Sequence, residues 1–258
     1  MMRFLALTMI CATLLGGRLP FVTRDDNKKP EICVDSLIEM MEGEGVWAVM
    51  REAVRLKAAM SDSAGVVVLV PAGAMVEILR DSGCAWYFVR DKNGKEGWVR
   101  GAALDIPPDE PTDTSTLSQA ELETYVSVMG FDSRTKYLTV VDLKRQQTHV
   151  FKGAKHKWTL ERSLTVSTGK NESPTIRGAF ELDNRGLWFY SERLGSGGRF
   201  WVRFDGPYMF HSVAMDKNGN VIDDTLGHKR SSGCVRLSLA DAEWFYKTVP
   251  DNTRVIIL

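Results

Sequence analysis

Between residues 107 and 114 the chain reads Pro107-Pro108-Asp109-Glu110-Pro111-Thr112-Asp113-Thr114. Proline has no backbone N–H and holds φ near −65°, so this cluster excludes both a helix interior and a central strand. A linker is expected over 107–117, and it divides the 258 residues into two parts, each large enough to fold. Hydrophobic residues make up 44% and charged residues 26% of the chain, which supplies a core for each part and argues against general disorder. The 33 basic and 33 acidic residues cancel. Without a net positive field to hold a phosphate backbone, nucleic acid is not an expected partner.

Ahead of the linker, Met1-Met2-Arg3 leads into an apolar run from Phe4 to Leu15, the pattern of an export leader. Residues 1–22 are therefore expected to be a signal peptide, or a membrane anchor if it is not removed. Thr8-Met9-Ile10 is too bulky a lead-in for lipidation of Cys11. Residues 23–45 are expected to be a spacer, polar from Arg24 to Glu31, with a short helix over Val34 to Met41. From residue 46 to 106, short runs of Val, Leu, Ile and aromatics alternate with turn signals such as Pro71-Ala72-Gly73 and Asp81-Ser82-Gly83. Asn93-Gly94 lies between Trp86-Tyr87-Phe88-Val89 and Gly97-Trp98-Val99, a strong hairpin signal. A small barrel is expected, with Trp86 and Trp98 filling its core. The order of Ala53-Val54-Arg55-Leu56, Gly73 to Leu79, Trp86 and Gly97-Trp98-Val99 resembles the bacterial Src-homology-3-like domain. That resemblance implies a positioning module for a cell-wall enzyme.

Beyond the linker, residues 118–258 form the second expected domain. Ser118 with Glu121 has the pattern of a capping box, opening a helix to about Met129 that Gly130 ends. Ser238 is placed to cap a helix to about Lys247 that offers Leu239, Trp244 or Phe245 to a core. Most of the rest, including Tyr137 to Leu143, Gly178 to Leu182 and Tyr208 to Val213, reads as strand. The fold class is mainly β: a small barrel, then a β-sandwich with a few short helices.

Three cysteines lie outside the leader, an odd number, so at least one thiol is free. Cys33 and Cys84 either pair or stand as two small hydrophobes, and Cys234 is left over in both cases. Cys234 follows the polar turn Ser231-Ser232-Gly233, where glycine permits close approach of the backbone. Consecutive amides of Ser232, Gly233 and Cys234 are placed to stabilise a thiolate and an oxyanion. A base is then required. His149 and His156 read as surface residues. His211 ends an apolar strand, and the Asn218-Gly219 turn folds the chain back toward Cys234, which favours His211 as the base. His228, among Lys229 and Arg230, reads as a secondary choice.

His211-Ser212, then Leu226-Gly227, then Ser231-Ser232-Gly233-Cys234-Val235-Arg236-Leu237 resemble the signature of the L,D-transpeptidase catalytic domain. The match extends through Ser167-Thr168-Gly169, Pro174 to Phe180 and Asp241-Ala242-Glu243-Trp244. It departs at Ser232, where the family most often has histidine. The resemblance implies a β-sandwich with Cys234 as nucleophile, His211 as base, and the Ser212 carbonyl orienting the base. Ser232 and Gly233 would orient the site or hold the oxyanion. Tyr208, Ser231 and Arg236 are candidate substrate contacts, although an internal hydrogen-bonding role weighs somewhat more for Arg236. The implied substrates are peptidoglycan stem peptides, joined through a thioester into a 3→3 crosslink in the cell envelope. Hydrolysis of the same thioester would make the chain a carboxypeptidase or another murein-trimming hydrolase; non-catalytic wall binding is the alternative outside enzymology. No cofactor is implied, and no Cys-x-x-Cys or His-Glu-x-x-His spacing is present to hold a metal. No feature of the sequence sets an oligomeric state.

Overall fold

A computed structural model describes residues 32–258. The expected leader, Cys11 and the polar stretch from Arg24 to Glu31 lie outside the described residues. Helix α1 spans Val34–Met41, where expected, and buries Leu37 and Met41. This part of the expected spacer is docked: α1 packs against the first helix beyond the linker, and the Met40 carbonyl accepts from Arg145 Nη1 at 3.1 Å.

Seven strands follow: β1 (Val46–Met50), β2 (Val54–Lys57), β3 (Val66–Val70), β4 (Met75–Ser82), β5 (Trp86–Asp91), β6 (Glu96–Arg100) and β7 (Leu104–Asp105). They form one sheet in the order β3-β2-β6-β5-β4-β1-β7. The β5–β6 hairpin turns at Asn93-Gly94 as expected. Asp91 Oδ1 accepts the amides of Asn93 and Lys95, and Gly94 takes the left-handed φ of 77° that the turn requires. The core of this sheet is built on Ala48, Met50, Leu56, Val76, Ile78, Tyr87, Val89 and Val99. Trp98 is not in it, contrary to expectation. Pairing of Phe88 with Trp98 puts both on the outer face, where their rings lie 5.2 Å apart, because the inward positions of a period-two pattern are taken by Tyr87, Val89 and Val99. Trp86 is buried at the start of the interior strand β5, under the Arg100 guanidinium, 4.2 Å from its ring.

Past the linker come α2 (Gln119–Val128), β8 (Tyr137–Asp142), β9 (Gln147–Ala154), β10 (Lys157–Thr165), β11 (Gly178–Glu181), β12 (Asn184–Ser191), β13 (Ser196–Asp205), β14 (Tyr208–Ser212), β15 (Ala214–Met215), β16 (Val221–Asp223), β17 (Val235–Leu237), α3 (Leu239–Thr248) and β18 (Arg254–Ile257). The capping box of α2 is complete: Ser118 Oγ accepts the Glu121 amide and Glu121 accepts the Ser118 amide. Ser238 caps α3 by accepting the Asp241 amide at 3.0 Å. Of the three residues offered to a core, Phe245 is fully buried and Trp244 packs against the core partly buried, while Leu239 is exposed at the first turn of α3. One sheet runs β10-β9-β8-β18-β11; the other runs β16-β15-β13-β14-β17, with β12 on β13. A single core joins them: Val141, Val150, Val255 and Ile257 from the first, Val202, Phe210, Val235 and Leu237 from the second, and Phe245 from α3.

The second face of β8 and β9 is also buried, including Leu138, Val140 and Phe151. α2 packs on neighbouring β10, and α1 on α2. His149 lies on this face, buried rather than at the surface as expected, with Nδ1 2.9 Å from Ser163 Oγ and Nε2 unpartnered. Burial pulls its pKa down to about 4. Cys33–Leu258 make one compact unit, and the linker lies against it rather than free. Asp109 Oδ1 accepts the Asn171 amide, and Thr112 Oγ1 donates to the Gly227 carbonyl.

Candidate active site

Parallel pairing of β14 with β17 sets Phe210 opposite Val235 and His211 opposite Arg236. By the same register Cys234, just ahead of β17, falls beside Met209, two residues before His211 on β14. Cys234 is half-buried, and its thiol donates to the Pro207 carbonyl at 3.7 Å. Cys33 and Cys84 are free and exposed, which settles the open pairing.

The turn before the thiol is held from within. Ser231 Oγ donates to the Cys234 carbonyl at 2.6 Å and accepts the Gly233 amide at 3.1 Å. Thr175 Oγ1 donates to the Gly233 carbonyl at 2.8 Å and accepts the Gly169 amide. Two consequences correct the expectations from sequence. The Gly233 amide is occupied, so it is not a free oxyanion donor; Ser231 is a buried strut of the turn and not a surface for substrate. Gly233 itself has φ +102°, and a Cβ there would lie 2.5 Å from Tyr208 Cε1. Glycine is required on both counts. Tyr208 is correspondingly a buried floor beneath the turn, 4% exposed, with burial pushing its pKa up to about 12. Ser232 is exposed.

His211 is 5% exposed. Its Nδ1 lies 2.6 Å from the Ser212 carbonyl, which can only accept, so Nδ1 carries the proton and Nε2 keeps its lone pair. The ring is wedged edge-on to Phe189 with centroids 5.0 Å apart, and a Cβ at Gly198 would meet Nδ1 at 2.6 Å. Burial, with the Arg236 charge adding to it, pulls the imidazole pKa down to about 3 against the opposing Ser212 hydrogen bond. Burial also pushes the Cys234 thiol up, partly offset by the Met209 amide and Arg236. Burial therefore favours the neutral imidazole of His211 and disfavours the thiolate of Cys234.

Arg236 is paired with Asp223, Nη1 to Oδ2 at 3.0 Å, and Arg230 joins the same carboxylate at 3.2 Å. This is the internal role that weighed more from sequence. His228 is exposed on a loop whose Gly227 amide is held by the Val166 carbonyl. Residues not singled out beforehand are Thr175, Phe189, Gly198 and Asp223. Thr175 lay within the resembling segment, whereas Phe189, Gly198 and Asp223 carry no local signal and are found only through pairing across strands. A cavity of about 850 Å³ lies between the first sheet, the linker and residues 168–177, but neither Cys234 nor His211 lines it. The chemistry sits outside it. Among the described residues, no three His, Cys, Asp or Glu side chains converge as a metal site.

The sequence model of the YkuD L,D-transpeptidase catalytic domain matches residues 136–257, the segment that holds both sheets of this core. A relative from Bacillus subtilis (strain 168), YciB, itself provisionally named an L,D-transpeptidase, is 35% identical over 133 residues, covering 49% of this chain and 68% of its own. The chain belongs to the YkuD family of L,D-transpeptidase catalytic domains. Among solved structures, a fused Zn-dependent amidase/peptidase/peptidoglycan-binding domain-containing protein from Clostridium acetobutylicum ATCC 824 is 32% identical, with a TM-score of 0.46, covering 54% of this chain and 59% of that one. An L,D-transpeptidase from Stackebrandtia nassauensis is 18% identical, with a TM-score of 0.41, covering 54% of this chain and 64% of that one. The present chain thus spans less than two thirds of either crystallised chain. The family is transpeptidase-type and acts on peptidoglycan peptide stems.

Proposed function

We propose that this chain is a peptidoglycan L,D-transpeptidase working through a thioester on Cys234. The observation that carries the reading is the fixed tautomer of His211: with Nδ1–H held by the Ser212 carbonyl, Nε2 is the basic nitrogen on the strand beside the thiol. As Sγ attacks the carbonyl of the third residue of a tetrapeptide stem, Nε2 takes the thiol proton. The oxyanion falls to the amides of Cys234 and Ser232, since the Gly233 amide is occupied. Collapse breaks the peptide bond, His211 returns the proton to the leaving amine, and terminal D-alanine departs. A side-chain amine of a second stem then attacks the thioester, restoring the thiol and leaving a 3→3 crosslink. Water in place of the amine gives carboxypeptidase activity.

In this reading the chain works in the cell envelope, reached through the apolar N-terminal segment, and the first sheet is a Src-homology-3-like positioning module. Muropeptide analysis is the test. Purified full chain incubated with tetrapeptide-bearing disaccharides is expected to release D-alanine and give dimers crosslinked between third residues. Tripeptides without dimers would assign hydrolysis; unchanged substrate would sink the activity.

A further inference from the structure

Cys234 is bounded by two segments of the catalytic half, and both are gripped by one hairpin of the first sheet. The first is the loop Asn171–Thr175. Its far end supports the nucleophile turn: Thr175 Oγ1 bonds the Gly233 carbonyl, and the Pro174 carbonyl lies 3.4 Å from where a Gly233 Cβ would stand. Its near end is held by β4 and β5. Tyr87 Oη donates to the Glu172 carbonyl at 2.7 Å, and Ser173 Oγ donates to Asp81 Oδ1 at 2.7 Å. Asp81 Oδ2 in turn accepts the Cys84 amide at 3.0 Å, which closes the hairpin on itself. The second segment is the turn at residues 205–207, whose Pro207 carbonyl accepts the thiol. Arg80 reaches it through an ion pair with Asp205, Nη2 to Oδ2 at 3.4 Å.

Loops alone wander, and a nucleophile misplaced by about 1 Å can lose on the order of a hundredfold in rate. The catalytic half supplies no hydrogen-bonding side chain for the Glu172 carbonyl; the first sheet supplies two donors, the Tyr87 hydroxyl at 2.7 Å and, more weakly, the Cys84 thiol at 3.5 Å. Tyr87 is a core residue of that sheet, 2% exposed, so its hydroxyl is rigidly aimed. We infer that the β4–β5 hairpin is a working wall of the thiol site, and that Tyr87 and Asp81 are positioning residues for Cys234, acting through Glu172 and Ser173. The inference rests on Cys234 being the nucleophile. It makes the first sheet part of the catalytic apparatus as well as a module for placement.

The test uses the full chain and two readouts, steady-state D-alanine release from a tetrapeptide and the iodoacetamide alkylation rate of Cys234. Alkylation is followed on the peptide that contains Cys234, in a Cys33→Ser, Cys84→Ser background shared by every variant, because both cysteines are exposed and the Cys84 thiol touches the Glu172 carbonyl. Tyr87→Phe removes one hydroxyl and leaves the ring packed. It is expected to lower kcat about tenfold with KM within about twofold, and to change the alkylation rate threefold or more. Asp81→Ala should do the same, and Asp81→Asn, which keeps an acceptor oxygen, should recover most of the loss. Both rates within about twofold of wild type in Tyr87→Phe would overturn the inference. If Asp81→Ala does not fold, Tyr87→Phe still decides. If the wild type releases no D-alanine, the transpeptidase reading fails, while alkylation alone still judges the positioning.

Discussion

Replacing Gly233 with alanine adds one carbon at the most confined point of the site. A non-glycine residue at φ +102° is strained by about 1–3 kcal/mol. The added Cβ would also stand 2.5 Å and 2.9 Å from Cε1 and Cδ1 of Tyr208, distances that real Cβ atoms do not tolerate. The ring has little room to retreat: Tyr208 is buried and lies near-parallel to Phe204, with centroids 6.2 Å apart. Overpacking of this kind costs about 1–3 kcal/mol, so the two effects together reach roughly 2–6 kcal/mol if the backbone holds its path. If the turn shifts instead, stability is partly recovered and Cys234 is displaced, with a rate loss on the order of a hundredfold. Urea unfolding and D-alanine release, measured together, follow both routes. Tyr208→Leu in the Gly233→Ala background should restore part of the stability, because it removes the ring edge but not the dihedral strain, giving a coupling of about 1 kcal/mol or more. A Gly233→Ala protein with wild-type unfolding midpoint and wild-type rate would refute the packing argument.

Further outcomes are expected elsewhere. His211→Ala should abolish thioester formation while His228→Ala, on its exposed loop, leaves most of it; single-turnover acylation followed by mass spectrometry checks the ranking, and the reverse order would reassign the base. Asp223→Ala leaves Arg236, whose side chain is 14% exposed, without its carboxylate, and should lower stability by about 1–3 kcal/mol in chemical denaturation. His211 and His149 have folded pKa values pulled down to about 3 and about 4, below the unfolded value near 6.5, so the unfolded chain takes up the protons first. Stability should therefore fall as pH drops below about 6.5 and go on falling toward pH 4, with a slope of up to about 1.4 kcal/mol per pH unit for each histidine. Calorimetry across that range should show the slope reduced in His211→Gln; an identical slope would argue against a buried neutral imidazole.

Features set by neighbours in the chain were legible before the structure. The Ser118–Glu121 capping box, the Ser238 cap and the Asn93-Gly94 hairpin each depend on hydrogen bonds within a few residues, and each is present. The hydrogen bond of His211 to the Ser212 carbonyl is just as local, but it is the family resemblance, not the residues alone, that implies it. What escaped depends on distant packing. Period-two alternation does not say which face of a sheet turns inward, so the sequence points Trp98 at a core that Tyr87, Val89 and Val99 occupy. Nor does it reveal that a second face is covered, and so the burial of His149 has no local signal. The occupied Gly233 amide is not legible either, because nothing in Ser231-Ser232-Gly233 tells whether a serine hydroxyl turns toward solvent or back into its own turn. The hold of Tyr87 and Asp81 on residues 172 and 173 spans some 90 positions, a contact that only folding creates.

The central claim is that Cys234 becomes acylated by a stem peptide. Intact-mass spectrometry of the full chain, quenched in acid during turnover with a tetrapeptide donor or after incubation with a carbapenem, tests it most directly. The account predicts one covalent adduct on wild type, mapped to the peptide containing Cys234 and absent from Cys234→Ala. An adduct that persists in Cys234→Ala, or no adduct on wild type with either reagent, would contradict it.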